Sequence, residues 1–375
     1  MKNSRTPCCE VNLKNLKYNY RQIVRNSNLT FFPVIKTDAY GVGLVEISKA
    51  LFEEGVKNFC VGDLDEAFRL SDAGIEGNIV ILNPVFTNEI SECIKKEFVF
   101  PIWDRAQIKD LKRFTNKFQK KARIQVEIDT GLGRNGVPLE KASKLVEELL
   151  SSEFIERFGI FTHFSKAESD RNFTVDQIAK FLNFISTNFY DTEKFFKFIH
   201  ASNSASFLTL KSKVLSPPFN SFRLGLLLYG ILPNSTFKDF KNFKPVLKVT
   251  SKILKIETLS KGSYIGYGGH VRLKRNTRIG VVNFGYSKGL SRSIWEKGYF
   301  IVNKKRAKIL GTLSMDLSVI DLSFIPEAEV GDEVIIVGSV GKDEVTFNDI
   351  AEWSSTIPHE VFVKITSSLP KVYKF

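Results

Sequence analysis

Residues 31–55 read FFPVIKTDAYGVGLVEISKALFEEG, a short apolar run followed by a segment with helical periodicity that ends on glycine. The same pattern recurs to about residue 232, as expected when buried strands alternate with amphipathic helices. The eight runs are FFPVI (31–35), NFCVG (58–62), NIVIL (78–82), FVFPIW (98–103), ARIQVEI (122–128), RFGIFTH (157–163), FKFIH (196–200) and SFRLGLL (221–227). Eight such units predict a (β/α)8 barrel, with an open doubly wound sheet as the alternative.

The hydrophobic pattern of the sequence changes after the connector LPNSTFKDFKNFKP (232–245). From Lys248 onward, apolar and polar residues alternate with period two, as in DEVIIVGSV (332–340), and glycines stand at the joints. Period two is typical of strands with one buried face. We therefore predict two domains, an α/β barrel over residues 1–235 and a mostly antiparallel β domain over residues 236–375.

Composition excludes several classes of protein. The chain of 375 residues is 43% hydrophobic and 25% charged, as expected of a globular protein with well-filled cores. Its longest apolar runs are shorter than the ~20 residues of a membrane helix, and its N-terminal stretch lacks the apolar core of a signal peptide.

The net charge of +13 is spread over helix faces without a basic stripe or a nucleic-acid motif. The four cysteines show no metal-ligand spacing and read as reduced thiols. We expect a cytoplasmic protein that binds neither membrane nor nucleic acid, and no metal site.

Chemically useful side chains follow the predicted strands. In a barrel of this kind the carboxyl ends of the strands meet at one rim, where active sites lie. We expect strand one to end at Lys36, strand five to lead into the loop DTGLGRNG with Arg134, and strand six to end at His163. Strand seven is followed by Asn203 and Ser204, and strand eight carries Arg223 and is followed by Gly225. The agreement of five strand ends predicts a site at this rim.

Six motifs resemble the alanine racemases, a family of pyridoxal-phosphate enzymes with a barrel and a C-terminal β domain. They are VIKTDAYGVG (34–43), VEIDTGLGRNG (126–136), THFS (162–165), HASNSAS (200–206), RLGLLLYG (223–230) and LGTLSMDLS (310–318). The motifs occur in the family's order, and the resemblance covers nearly the whole chain. The resemblance implies interconversion of L- and D-alanine for cell-wall synthesis.

The resemblance also implies roles at the cofactor. Lys36 would be the Schiff-base lysine and one of the two bases, because an amine that is partly desolvated has a lowered pKa. Arg223 would donate to the pyridine nitrogen, and its fixed protonation would leave that nitrogen without a proton. His163 would lie near the ring and bond to Arg223. Arg134 would contact the cofactor's phenolic oxygen and the substrate carboxylate, and Tyr40 would be a phosphate ligand.

The phosphate is expected beside Ser204 and the backbone amides of Gly225 and Leu226, with Asn203 close by. A competing interpretation makes Asn203 and Ser204 simple helix caps. Seven residues before Arg134, where several relatives carry a carbamylated lysine, this chain has Glu127. We hypothesise that Glu127 orients Arg134; the alternative is a charged strand residue that faces the helices.

The chain departs from the family where the second base is expected. A racemase needs proton donors on both faces of the α-carbon, and the family's second base is a tyrosine supplied by the partner subunit. In IGYGGHVRLKR (265–275) that position holds Val271, which cannot transfer a proton. The candidate substitutes are Tyr267, His270 and Arg272, of which Arg272 is too firmly cationic to act as a base. We take His270 as the candidate base, with a solvated polar residue as its alternative. Ser367 likewise stands where some members have a tyrosine.

Met315 and Asp316 match family residues that approach the substrate carboxylate from the partner subunit, or else form an ordinary strand-to-turn segment. An active site shared between two subunits implies a homodimer.

Three functions are kept beside alanine racemisation: a racemase for a larger amino acid, a one-base lyase or decarboxylase, and a non-catalytic pyridoxal-phosphate protein. The β domain disfavours the last, because such carriers end after the barrel.

Overall fold

Parallel strands alternate with helices in the first part of this computed structural model, which describes residues 6–25, 27–189, 192–240 and 242–375. The elements are β1 Cys8–Asn12, α1 Leu13–Val24, β2 Thr30–Pro33, α2 Lys36–Gly41, α3 Leu44–Phe52, β3 Asn58–Val61, α4 Leu64–Asp72, β4 Asn78–Ile81, α5 Thr87–Lys96, β5 Val99–Pro101, α6 Ala106–Phe118, β6 Ala122–Asp129, β7 Val137–Pro138, α7 Leu139–Leu150, β8 Ile155–Phe161, α8 Arg171–Asn188, α9 Thr192–Phe195, β9 Phe198–His200, α10 Ser204–Thr209, α11 Lys211–Val214 and β10 Ser221–Leu224. Each of the eight apolar runs overlaps one of these strands.

The strands close on themselves. A parallel sheet runs in the order β3, β4, β5, β6, β8, β9. Strand β2 joins it through a bridge between Val34 and Cys60 and pairs in parallel with β10 on its other side. The N–H of Asn220 donates to the carbonyl of Ile199 at 3.2 Å, which links β10 to β9. The closed barrel is confirmed, and the open sheet is excluded.

Aromatic side chains fill the barrel interior. Phe32, Phe158 and Phe198 belong to one buried cluster. The ring of Phe198 lies 5.0 Å from that of Phe32 and 4.9 Å from that of Phe158. Strands covered on both faces read as continuous apolar runs, which is why the barrel was recognisable in the sequence.

Strands outnumber helices in the remaining chain. Its elements are β11 Leu247–Leu259, β12 Tyr264–Ile265, β13 Val271–Arg272, β14 Thr277–Val282, β15 Tyr299–Val302, β16 Lys305–Lys308, β17 Ser318–Asp321, β18 Glu333–Val340, β19 Asp343–Val345, α12 Phe347–Trp353, α13 Pro358–Ser367 and β20 Lys371–Lys374. Four short 3-10 helices span Leu226–Tyr229, Ser235–Phe237, Tyr286–Lys288 and Arg292–Glu296.

The main sheet of this part has the order β16, β15, β18, β11, β1, β20, and β14 also pairs with β11. Its pairings are antiparallel except that between β1 and β20. The mostly antiparallel β domain is therefore confirmed, and the N-terminal strand β1 lies inside it.

The chain divides into two compact units. One contains Tyr20–Ala39 and Leu44–Leu227; the other contains the described part of Met1–Asn19, Tyr40–Gly43 and Leu228–Phe375. The domain limits 1–235 and 236–375 stay a prediction. Among the described residues, no helix combines the length and the apolar character that crossing a membrane requires.

Candidate active site

Lys36 opens a turn of left-handed helix. Strand β2 ends at Pro33, so the expectation that this strand reaches Lys36 is wrong by three residues. In α2 the φ angles of Thr37 to Tyr40 lie between 52 and 59°, and that of Gly41 is 77°. A left-handed backbone costs ~1–2 kcal/mol for each residue other than glycine, which gives roughly 4–8 kcal/mol for these four. Strain of this size persists only where surrounding groups impose it.

Helix α4 supplies part of that support. The carboxylate of Glu66 accepts from the N–H of Asp38 at 2.6 Å, and Arg69 forms an ion pair with the carboxylate of Asp38 at 2.5 Å. The same Asp38 oxygen accepts from the N–H of Leu44 at 3.1 Å. The side chain of Asp63 caps α4 by accepting from the N–H of Glu66. The first turns of α4, which Asp63 caps, therefore hold the left-handed turn through Glu66 and Arg69.

The amine of Lys36 lies in an unfavourable place for a positive charge. Burial lowers its pKa, and the guanidinium groups of Arg134 and Arg223 lower it further. The carboxylates of Glu66 and Glu127 act in the opposite direction but do not reverse the shift. An amine of lowered pKa is a better nucleophile and base at neutral pH.

Arg223 lies under the rim with 4% of its surface exposed. One Nη donates to Nδ1 of His200, and the other donates to the carbonyl of Thr162 at 3.0 Å and lies 3.5 Å from Nδ1 of His163. The guanidinium also sits over the ring of Phe161, 4.4 Å from its centre. Burial lowers the pKa of Arg223 to about 10, so the group remains a cation at neutral pH.

His200 has a role at this site that the sequence reasoning missed. Its ring is buried and stacks on Phe161 at 5.0 Å and on Phe32 at 5.4 Å. Because arginine only donates, Nδ1 of His200 accepts and carries no proton. Burial and the charge of Arg223 lower its pKa well below the usual range, so the ring is neutral. The clue was its place at the end of β9, two residues after the inward-facing Phe198.

Glu127 faces the barrel interior rather than the helices. It pairs in register with Phe161, which pairs with His200, so the three lie at one level of the barrel. Its side chain is buried, and burial raises the pKa of its carboxyl despite the opposing charges of Arg223 and Arg134. This placement puts a carboxylate within electrostatic range of both arginines.

Arg134 is exposed in the loop that follows β6. Asp129 shapes the start of that loop, because its carboxylate accepts from the N–H groups of Gly131, Leu132 and Gly133 at 2.8–2.9 Å. Gly131 and Gly133 have φ angles of 133 and 68°. The glycine-rich motif therefore folds around a carboxylate and leaves the arginine free to reach a ligand.

Asn203 and Ser204 differ in whether their side chains already have a hydrogen-bond partner in the protein. The side chain of Asn203 caps α10 by accepting from the N–H of Ser206 at 3.0 Å, as the competing interpretation has it. Ser204 begins that helix, and within the described ranges no protein group bonds its hydroxyl. Gly225 and Leu226 directly follow β10, and their N–H groups likewise donate to no described protein acceptor. One hydroxyl and two amides remain available for an anion.

Tyr40 belongs to the second unit, where it is 8% exposed. Its ring stacks on Phe362 at 5.7 Å, with Tyr229 at the same distance on another side. Its role toward a phosphate stays a prediction.

The segment expected to bear the second base is a hairpin of β12 and β13. Val271 pairs with Ile265 and packs against the apolar cluster around it. His270 is exposed, and its ring stacks on Trp295 at 6.1 Å. Tyr267 is 63% exposed. Histidine and phenol therefore point outward, whereas the valine points inward.

Met315 and Asp316 are also exposed on this unit, Met315 by 57%. The carboxylate of Asp316 accepts from the hydroxyl of Ser287 at 2.8 Å. Ser367 is exposed at the end of α13.

Comparison with known families accounts for both units. The family described as "Alanine racemase, N-terminal domain" matches residues 11–233, and "Alanine racemase, C-terminal domain" matches residues 246–373. This chain belongs to the alanine racemase family. The motifs that carried the resemblance thus lie within matches that together span most of the chain.

Curated relatives agree over almost their whole length. The chain is 32% identical to "Alanine racemase 2" of Caldanaerobacter subterraneus subsp. tengcongensis, over 97% of this chain and 94% of the relative. It is also 32% identical to "Alanine racemase" of Clostridium perfringens, over 91% of this chain and 88% of that one.

Solved alanine racemases share the fold. The crystal structure of the E. faecalis enzyme superposes with a TM-score of 0.89 at 29% identity, covering 99% of this chain and 98% of that chain. The Bacillus anthracis enzyme, solved with bound L-Ala-P, superposes with a TM-score of 0.86 at 27% identity, covering 99% and 96%. Both units of the racemase are therefore present here.

Proposed function

We propose that this protein interconverts L- and D-alanine with pyridoxal phosphate and supplies D-alanine for cell-wall precursors. The observation that carries the proposal is the half-buried amine of Lys36, whose pKa is lowered beside Arg134 and Arg223 at the rim of the barrel. The full-length similarity to alanine racemases supports the substrate.

The groups at the rim fit the chemistry of pyridoxal phosphate. Lys36 would hold the aldehyde, because its lowered pKa leaves more of the nucleophilic amine at neutral pH. Arg223 would donate to the pyridine nitrogen, since a guanidinium has N–H donors and no acceptor atom. The Ser204 hydroxyl and the amides of Gly225 and Leu226 would hold the phosphate. When bound, the cofactor supplies an electron-accepting ring that acidifies the α-hydrogen of the amino acid.

Arg223 and His200 set how strongly that ring withdraws electrons. At neutral pH no proton passes between His200 and Arg223. The pKa of His200 is lowered, so its ring stays neutral, and the pKa of Arg223 is about 10, so its guanidinium stays charged. The guanidinium therefore stays a fixed donor, and the ring nitrogen gains no proton from it. Weak withdrawal favours prompt return of the α-proton, which suits racemisation more than transamination.

Lys36 Nζ would move the proton on one face of the α-carbon. Arg134 would hold the substrate carboxylate, with Glu127 setting its direction and charge environment. His163 lies 3.5 Å from an Nη of Arg223 and would keep that guanidinium in place. These assignments use groups that the barrel unit contains by itself.

The opposite face needs a second proton donor, and we propose His270 of a partner subunit. Val271 has no transferable proton and packs inward, whereas His270 is exposed. Met315 and Asp316, exposed on the same unit, would meet the substrate carboxylate. The proposal thus includes a homodimer with a shared site.

We also infer a cytoplasmic location, which the cysteines support. Among the described residues all four are free thiols, three of them buried. Thiols persist in a reducing compartment.

Incubation of L-alanine with the enzyme in deuterated water tests the proposal. Deuterium at Cα together with D-alanine supports racemisation. Deuterium with retained configuration would instead indicate one-base exchange, and absence of label would contradict the proposal. Lys36→Ala is the control and should give neither label nor D-alanine.

A racemase for a larger amino acid is the second candidate. Valine and serine stand at positions 271 and 367. The resemblance implies a tyrosine at the first position in the family and at the second in some members, and the loss of both would widen the entrance to the active site. Comparing kcat/KM for alanine with that for leucine and serine separates the two. A clear preference for alanine supports the first function.

A further inference from the structure

The second half of the left-handed turn lies against the end of helix α13. The hydroxyl of Thr366 is 2.6 Å from the carbonyl oxygen of Tyr40, across 326 positions of sequence. Both groups are buried, and both belong to the same compact unit. A second contact comes from Tyr373, whose hydroxyl donates to the carbonyl of Val42 at 2.8 Å.

Thr366 has one hydroxyl proton and three carbonyls within hydrogen-bonding distance. Besides that of Tyr40, these are the carbonyls of Phe362 at 2.7 Å and Val363 at 3.3 Å in its own helix. The Tyr40 carbonyl is the nearest of the three, and it lies outside the helix, whereas the other two already accept from backbone N–H groups within it. We therefore assign the hydroxyl proton to Tyr40.

The contact is close enough to exclude any side chain at Gly41. A Cβ built there would lie 2.5 Å from Oγ of Ser367, 2.6 Å from Oγ1 of Thr366 and 2.7 Å from the backbone nitrogen of Ser367. The φ of Gly41 is 77°. The turn and the helix end therefore fit directly against each other.

We propose that Thr366 is a positioning residue that fixes the left-handed turn carrying Lys36. The two ends of the turn are then held separately: Glu66 and Arg69 secure Asp38, and Thr366 secures Tyr40. Four consecutive residues other than glycine keep a positive φ because both ends are fixed. The functional consequence rests on the role proposed for Lys36.

Thr366→Val tests the proposal, because valine keeps the branched shape and removes the donor. Thr366→Ser keeps the donor and should restore the behaviour of the wild type. Ser368→Ala is the matched control: it removes a hydroxyl that donates to Ile365 in the same helix at 2.9 Å and does not touch the turn.

Amide hydrogen exchange of residues 37–44 is the first readout. We expect exchange there to be about tenfold faster in Thr366→Val, as for the loss of one buried hydrogen bond, and unchanged elsewhere. Thr366→Ser and Ser368→Ala should exchange as the wild type does. Equal protection of the turn in Thr366→Val and the wild type would overturn the proposal.

Steady-state kinetics of the holoenzyme give the second readout. A displaced lysine lowers kcat by at least tenfold in Thr366→Val while KM for alanine changes by less than about threefold. An equal loss in Thr366→Val and Ser368→Ala, or no rescue by serine, would indicate a general structural role and would overturn the proposal.

Tyr373→Phe keeps the proposal testable if Thr366→Val does not fold. It removes the hydroxyl that donates to the carbonyl of Val42 and should raise exchange within residues 42–44. Unchanged exchange there would overturn the proposal that side chains of the C-terminal segment fix this part of the turn. The measurement of amide hydrogen exchange does not require racemase activity. A chain that exchanges as expected but does not racemise alanine would refute the proposed function and leave the positioning role standing.

Discussion

Replacing His200 by phenylalanine isolates one buried hydrogen bond. Phenylalanine keeps a flat ring between Phe161 and Phe32, so the stacking at 5.0 and 5.4 Å is retained. It removes the acceptor of one Nη of Arg223, which is buried. A hydrogen bond to a charged group is worth about 1.5–3 kcal/mol. In a chain of 375 residues that corresponds to a decrease in Tm of roughly 2–4 °C.

The pH dependence of the same variant gives a sharper test. The pKa of His200 is lowered in the folded protein, whereas the unfolded chain binds the proton below about pH 6.5. The unfolded state then binds more protons, so the wild type loses stability as pH falls below that value. His200→Phe lacks this loss. The stability difference between wild type and variant is therefore largest above pH 7 and shrinks toward pH 5.

Urea unfolding at pH 7.5, 6.5 and 5.5 measures this difference, with His270→Phe as the control. His270 is exposed and stacks on Trp295 among its described ring contacts, so its replacement removes no buried hydrogen bond and should change stability little. A His200→Phe protein as stable as the wild type at pH 7.5, or a difference that does not vary with pH, would refute the assignment of a neutral, accepting His200.

Other substitutions test separate parts of the structure. Gly41→Ala should cost about 2–5 kcal/mol, the sum of left-handed strain and overpacking, whereas Gly74→Ala, at a φ of 72° with open space around it, should cost only ~1–2 kcal/mol; equal losses in thermal unfolding would contradict the close packing. Glu127→Gln should lower kcat/KM for alanine about tenfold, and unchanged kinetics would exclude its action on Arg134. Val271→Tyr should raise turnover several-fold if a missing phenol limits the reaction; the same assay showing no gain would count against that.

The barrel could be predicted because its strands are covered on both faces. Continuous apolar runs such as NIVIL leave few alternatives to a buried strand, and Val80 and Ile81 within it are almost fully buried. The rim could be predicted as well, because the carboxyl ends of parallel strands must meet. Arg223 was placed on its strand from the motif SFRLGLL alone.

Features that depend on distant contacts could not be predicted. The left-handed turn is built from Thr, Asp, Ala and Tyr. Of these only aspartate is enriched at positive φ, and then as a single residue. The turn is held by groups 28 and 326 positions away. Strand β1 pairs with β11, more than 230 residues later, and nothing in its five residues indicates that partner. The role of His200 depended on which side of β9 faces inward, which only the strand register decides.

Borohydride reduction of the purified holoenzyme, followed by peptide mapping, tests the central claim that Lys36 holds the cofactor. We predict that the visible absorption band disappears and that a pyridoxyl group is found on the peptide containing Lys36, with no such modification in Lys36→Ala. A pyridoxyl group on another lysine, or none at all, would contradict the account.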